Sequence, residues 1–282
     1  MTIIADDTDL AAYLAQAAGA LVLEMRDASG LVAKDLGNAG DQTANQFLIR
    51  TLGEQRPDDG LLSEESKDTD ARLSKSRVWI IDPVDGTREY SEGRSDWAVH
   101  VALAIDGAPV IGAVALPALD LVLRTDQPAV IPPAPAQLRM VVSRTRPAPE
   151  AVAVAEALGA ELIPMGSAGA KAMAVVRGEA DIYLHTGGQY EWDSCAPAAV
   201  AAAYGLHISR VDGSPLVYNQ ADVYMPEATL DRTISSSCGV RLTFMPIFDP
   251  SQCQPPVGDC SCQCYQILSK MDIFSANSRG QF

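Results

Sequence analysis

The chain predicts a layered α/β protein of two subdomains, and three observations carry that reading. Amphipathic helices open it, a run of short apolar strands follows, and the Pro/Ala-rich segment QPAVIPPAPAQ (127–137) precedes a second unit in which strands and helices alternate. Prolines remove ladder donors and helix bonds, so that segment suits neither sheet nor helix. The subdomains are accordingly placed at 1–130 and 138–227, with an atypical Cys/Pro-containing tail at 228–282 expected to be irregular or disordered.

The first helix is expected to start near Asp6 or Thr8. A second starts near Asp41, where Ala44, Phe47, Leu48, Thr51 and Leu52 follow the i, i+3, i+4, i+7, i+8 spacing of a buried stripe. Strands are read at 61–63, 78–81, 97–104, 110–116 and 119–124, with Asp106-Gly107 as a hairpin turn. The second unit opens with a strand at 138–142. Its helices are placed at 150–158, 168–177 and 194–204, stopped by Gly159, Gly178 and Gly205, with strands near 182–185 and 206–209 between them.

Composition narrows the function classes. With 282 residues, 48% of them apolar, the chain can fill a sizeable core. No apolar run reaches the roughly 18 to 20 residues of a membrane helix, and acids stand where a secretory leader would carry positive charge, so a cytoplasmic protein with no membrane partner is expected. The net charge of −15 repels nucleic acid polymers. Only Cys195 precedes Cys238, and Cys238, Cys253, Cys260, Cys262 and Cys264 crowd the tail, which is no disulfide framework for the body and lacks the histidine or second CxxC of a zinc site.

The chemistry concentrates in VWIIDPVDGTREY (78–90). An apolar strand delivers Asp82, Pro83 ends sheet pairing, and the turn at Asp85-Gly86 leaves carbonyls such as that of Val84 free. That oxygen-only set suits Mg²⁺ or Ca²⁺. Glu64 and Glu65 end another short apolar strand, and Asp41 and Asp193 stand at expected helix starts. Taken singly, Asp41 and Asp193 also read as N-caps and the glutamates as a charged loop. Together they have a consequence: two carboxylates 4 Å apart repel by about 1 kcal/mol in water and about 4 kcal/mol at an effective dielectric of 20, so a convergent cluster needs cations. Bound divalent ions would reverse the local sign and draw in phosphate, making metal-assisted phosphate ester hydrolysis the reaction class to test. Further on, Gly166-Ser167-Ala168-Gly169-Ala170-Lys171 precedes a helix and offers backbone N–H groups to an anion, without the spacing of a P-loop. His100, His185 and His207 read as structural, and Trp97, Met173 and Trp192 as core.

WIIDPVDGT, the Glu64-Glu65 pair upstream and Glu191-Trp192-Asp193 downstream, in that order, resemble the inositol monophosphatase superfamily of lithium-sensitive, magnesium-dependent phosphomonoesterases. Gly86 to Tyr90, and the body from about Ala11 to Glu227, are most similar to its actinobacterial CysQ-type branch, which removes the 3'-phosphate of 3'-phosphoadenosine 5'-phosphate (PAP) in connection with sulfate assimilation. The resemblance implies an α-β-α-β-α sandwich and two to three Mg²⁺ ions, with Li⁺ inhibitory. Glu64, Asp82 and the Val84 carbonyl would hold one ion, Asp82, Asp85 and Asp193 a second, and a looser third would share Glu64. Thr87 would hydrogen-bond the attacking water, with Asp41 behind it as orienter and proton acceptor. Gly86, Thr87, Arg88, Gly166, Ser167, Ala168 and Lys171 would line the substrate, a small anionic phosphomonoester, and Ser143-Arg144 and Arg88 would supply positive charge to its second phosphate. A homodimer is common among such relatives. Competing readings are an inositol monophosphatase or fructose-1,6-bisphosphatase with the same metal core, and a catalytically weak protein that binds metal or nucleotide.

Overall fold

The computed structural model describes residues 3–231, and two long helices begin it. Helix α1 (Asp7–Ala28) is capped by Asp6, whose carboxylate accepts the Thr8 and Asp9 N–H groups at 2.8 and 2.9 Å. Helix α2 (Ala33–Gln55) starts well before the expected Asp41, so Asp41 lies inside the helix rather than capping it. Gly37 and Gly40 lie inside α2 and serve close approach. A Cβ at Gly37 would sit 2.8 Å from Thr87 Cγ2, and one at Gly40 2.7 Å from the Tyr90 ring.

The first sheet has the order β1 (Gly60–Ser63), β2 (Arg77–Asp85), β3 (Ala98–Ile105), β4 (Ala108–Leu116), β5 (Leu121–Arg124); β1 and β2 are parallel and the other pairs antiparallel. Pairing does not stop at Pro83 as expected. Asp82 pairs with His100 and Asp85 with Ala98, so a bulge absorbs the proline and β2 runs on to Asp85. A short helix, α3 (Thr87–Ser91), follows at once, because Gly86 turns the chain through a left-handed φ of 87°.

The second half contains β6 (Arg139–Ser143), α4 (Pro149–Leu158), β7 (Glu161–Met165), α5 (Ala168–Val176), β8 (Ile182–Tyr190), α6 (Glu191–Ala203), β9 (His207–Ser209) and β10 (Tyr224–Asp231). Its sheet has the order β7-β6-β8-β10-β9. Strand β7 was hidden in the sequence by Pro164; it lies at the sheet edge, where a missing ladder donor is tolerated. Helix α6 starts at Glu191, so Asp193 is in its first turn rather than at its cap. Strand β10 runs to Asp231, past the boundary drawn at 227; the late cysteines and the rest of the tail lie outside the described residues.

Alternation along the strands builds the layers. Trp79 and Ile81 of β2 pack on α1 and α2, whereas Val78 and Ile80 pack on α5 and α6. Val141 and Tyr183 close the same central layer from the second sheet, and Met140, Val142, Ile182 and Leu184 on its far face meet α4. The result is the five-layer α-β-α-β-α sandwich. Small residues let the central layer lie close: a Cβ at Gly112 of β4 would stand 2.6 Å from the Ala196 carbonyl of α6. Helices α5 and α6 therefore bring their N-termini to the end of β2. Among the described residues no helix is long and apolar enough to cross a membrane.

Candidate active site

Three carboxylates from two halves of the chain converge there. Ligand atoms of Asp82, Asp85 and Asp193 all lie within 4.8 Å of one another. Asp82 is buried; its Oδ1 accepts the Val84 N–H at 3.1 Å, and its Oδ2 has no hydrogen-bond partner. Burial, then repulsion from Glu64, Asp85 and Asp193, raises its pKa well above the ordinary range. Glu64, just past the end of β1, is pushed up to about 8 by partial loss of hydration and by the charges of Asp193, Asp85 and Glu65. Asp193 rises to about 7 through burial and Asp85, partly offset by the Tyr190 N–H that donates to it at 2.6 Å.

Asp85 goes the other way. Against a desolvation penalty, His100 and hydrogen bonds from Ser167 and Gly169 hold it below the usual carboxylate range. The Ser167 hydroxyl donates to Oδ2, and the Gly169 and Ala168 N–H groups donate at 2.6 and 3.1 Å. His100, fully buried, has Nε2 3.3 Å from Asp85 Oδ2 and Nδ1 2.9 Å from the Trp192 carbonyl. Against the desolvation penalty of full burial, the Asp85 charge and then the Trp192 carbonyl raise the His100 pKa. Sequence reasoning put His100 among structural histidines; it is indeed buried, but it is also the direct partner of Asp85. Gly169 makes room for it, since a Cβ there would fall 1.9 Å from Nε2.

Beside the cluster stands a hydroxyl and an acid. Thr87 Oγ1 lies 3.2 Å from Asp41 Oδ1 and 3.1 Å from the Val84 carbonyl, so its single proton serves one acceptor at a time. Burial and the charge of Glu65 push Asp41 up to about 7, with the Thr87 hydrogen bond acting against the rise. Glu65 is itself held at 3.3 Å by Gln42, the residue after Asp41 on α2.

The expected substrate residues divide. Gly86 fits only without a side chain, since a Cβ would come within 3.0 Å of Ser167 Cβ. Arg88 projects into solvent, its side chain 65% exposed, 3.5 Å from Glu92. Ser143 Oγ accepts the Arg146 N–H at 3.2 Å. Arg144 is engaged by Glu89 and Glu92, both at 2.8 Å. The N-terminus of α5 is not open to an anion as expected: Asp85 takes the Ala168 and Gly169 amides and the Ser167 hydroxyl, and Asp96 takes the Gly166 N–H at 2.6 Å. Nor is Lys171 a free cation. It is buried, with Nζ 2.5 Å from the Ser167 carbonyl and 3.4 Å from that of Gly166.

The donors fit a hard divalent cation: every convergent atom is oxygen, and Asp82 Oδ2 is a buried acceptor with nothing donating to it. A five-layer sandwich with such a cluster at the end of a central strand defines a metal-dependent phosphomonoesterase. The chain belongs to the inositol monophosphatase family, whose model matches residues 6–240. It is a phosphoric monoester hydrolase. It is 51% identical over 241 residues to the 3'-phosphoadenosine 5'-phosphate phosphatase of Mycobacterium leprae, covering 80% of this chain and 89% of that protein. It is 27% identical over 244 residues to the 3'(2'),5'-bisphosphate nucleotidase CysQ of Escherichia coli, covering 77% and 96%. Among solved structures it is similar to CysQ from Bacteroides thetaiotaomicron (TM-score 0.72, 24% identity, 80% of this chain and 97% of that one). It is also similar to inositol monophosphatase II from Staphylococcus aureus (TM-score 0.67, 22% identity, 78% and 88%). At those identities the structures speak to fold alone.

Proposed function

We propose that the protein is a Mg²⁺-dependent 3'(2'),5'-bisphosphate nucleotidase that hydrolyses the 3'-phosphate of PAP to give AMP and phosphate, clearing a by-product of sulfate assimilation. The observation that carries this reading is the 51% identity to a protein named for that substrate, across nearly the whole described chain. The acid cluster supports the chemistry. Glu64, Asp82, the Val84 carbonyl, Asp85 and Asp193 are the residues that would hold two to three ions. When bound, the cations supply Lewis-acid stabilisation of charge on the phosphoryl and leaving oxygens.

The chain's own residues handle the water and its proton. With Thr87 donating to Asp41, the Thr87 oxygen accepts a hydrogen bond from the attacking water and fixes its direction. As the water oxygen bonds to phosphorus and the bond to the ribose 3'-oxygen breaks, the water's proton passes through Thr87 to Asp41. The displaced 3'-oxygen takes a proton from solvent, which closes the balance as PAP plus water to AMP plus phosphate. Burial puts Asp41 at about 7, the range in which a carboxylate both accepts and releases a proton near neutrality. Arg144 is already shared between Glu89 and Glu92, so the second phosphate falls to Arg88.

Phosphate release from PAP, inositol 1-phosphate and fructose 1,6-bisphosphate, each with and without Mg²⁺ and Li⁺, tests the proposal. PAP should be the preferred substrate, with turnover dependent on Mg²⁺ and suppressed by Li⁺. A preference for either sugar phosphate would overturn the substrate, and absence of all turnover would favour a binding protein.

A further inference from the structure

We propose that Arg72 and Glu191 form a brace that holds the segment carrying Glu64 and the helix carrying Asp193 together before any cation binds, making Arg72 a positioning residue for the metal site. The inference rests on the reading that these acids hold a divalent ion. It starts from a mechanical problem. Glu64 and Asp193 come from different halves of the chain and are side chains of the same sign of charge. Left alone, such segments would spread.

Arg72 lies in a short 3₁₀ turn (Asp70–Ser74) and is buried at 3% exposure, unusual for an arginine outside any catalytic motif. Its guanidinium is used on both sides. Nε and Nη2 grip Asp68 as a fork at 2.8 and 2.7 Å, fixing the far end of the loop that begins at Glu64. Nη1 and Nη2 reach across to the Asn219 side-chain oxygen and the Gln220 carbonyl at 2.8 and 2.9 Å. Asn219 returns a hydrogen bond to the Arg72 carbonyl at 3.2 Å.

Glu191 completes the path. Its two carboxylate oxygens accept the N–H groups of Asn219 and Gln220, each at 2.7 Å, and it is 1% exposed in the first turn of α6, two residues before Asp193. The near end of the Glu64 loop is pinned separately: Asn45 accepts from Ser63 at 2.8 Å and donates to Ser66 at 3.0 Å. Hydrogen bonds therefore run without a break from Asp68 through Arg72 and residues 219–220 to Glu191. A planar fork is needed because a lysine offers one point of charge and cannot grip Asp68 while also reaching 219–220.

The test compares wild type with Arg72→Ala and, separately, Glu191→Gln. Mg²⁺ is titrated calorimetrically into substrate-free protein, amide exchange is followed, and phosphate release is measured against Mg²⁺ concentration. Apparent Mg²⁺ affinity should weaken about 10- to 100-fold in Arg72→Ala, the scale typical for removing a group that orients a ligand. Exchange should quicken at 64–69 while β2 and β3 stay protected, and raising Mg²⁺ should restore turnover. If Arg72→Ala does not fold, Glu191→Gln carries the test, with the same signs. Wild-type Mg²⁺ affinity in a folded variant would overturn the brace, as would quickened exchange spread evenly over the first sheet. A wild-type protein that binds Mg²⁺ but leaves PAP intact would instead defeat the proposed function and leave the brace standing.

Discussion

Asp7 at the start of α1 and Asp68 in the segment after β1, and Asp82 and Asp193 in the convergent cluster, are all carboxylates drawn partly out of water, yet they move in opposite directions. Asp7 pays desolvation but lies 2.8 Å from Arg77 and 2.7 Å from Arg56, and its pKa falls. The Arg72 fork lowers Asp68. Asp82 and Asp193 face burial and the charges of neighbouring carboxylates, and both rise. The outer acids are neutralised from within the chain. The inner ones leave charge for something else to neutralise, and that difference separates a structural ion pair from a site. Asp85 lies between the cases: it belongs to the inner cluster, but His100 and the α5 amides satisfy it as arginines satisfy the outer acids.

The sharpest way to break the comparison is to remove one acid of each kind. Asp82→Asn and Asp85→Asn should each lower turnover at least about 100-fold, because a lost cation takes several kcal/mol of transition-state stabilisation with it. Their metal-free stabilities should part. Asp82→Asn relieves repulsion worth about 1 to 4 kcal/mol and should raise the melting temperature. Asp85→Asn removes the carboxylate that faces the buried His100 and accepts from Ser167 and the α5 amides, and should lower stability by about 3 to 5 kcal/mol. Thermal melts in EDTA that moved the same way in both variants would erase the distinction.

A cation should itself reverse the sign of the inner region. Mg²⁺ at 100 times its dissociation constant should stabilise the fold by about 2.7 kcal/mol. The pH dependence follows from linkage. Asp41 and Asp193 at about 7 and Glu64 at about 8, against 3.8 and 4.5 for the free side chains, bind protons more tightly folded than unfolded. Their contribution is present in full below the unfolded pKa and is lost as pH rises through the folded one, so metal-free protein should lose stability from about pH 4 to pH 8. Asp85, with its lowered pKa, adds a loss only at the acid end. Saturating Mg²⁺ should flatten the fall toward pH 8; an unchanged slope would mean that Glu64 and Asp193 do not bind the ion.

What the sequence disclosed was local. A strand, a proline and a turn within one stretch delivered Asp82, Asp85 and Thr87, and the acids of Glu64 and Asp193 stood in recognisable strings. What it hid depends on partners distant in the chain. The second helix reads from Asp41 only, and the partners that Gly37 and Gly40 make room for, Thr87 and Tyr90, lie on another element. The α5 N-terminus read as an open anion site because its occupant, Asp85, is 82 residues from Ser167. Lys171 read as a substrate cation, whereas the neighbouring carbonyls and the burial around it hold it inside. His100 alternates among apolar residues on β3, and only the bulge in β2 reveals that it faces an acid.

The smallest expected effect falls on Arg88, which belongs to neither region. Its side chain is 65% exposed and its nearest acid, Glu92, is 3.5 Å away and also exposed, so Arg88→Ala should change stability by less than about 0.5 kcal/mol. Its role can lie only in what approaches from solvent. A hydrogen bond to a charged phosphate contributes about 1.5 to 3 kcal/mol, so kcat/KM for PAP should fall about tenfold or more. Inositol 1-phosphate carries no second phosphate to lose the contact, and its kcat/KM should hold. Equal losses on both substrates would move Arg88 from choosing the substrate to shaping the site, and would leave the second phosphate without a reader on α3.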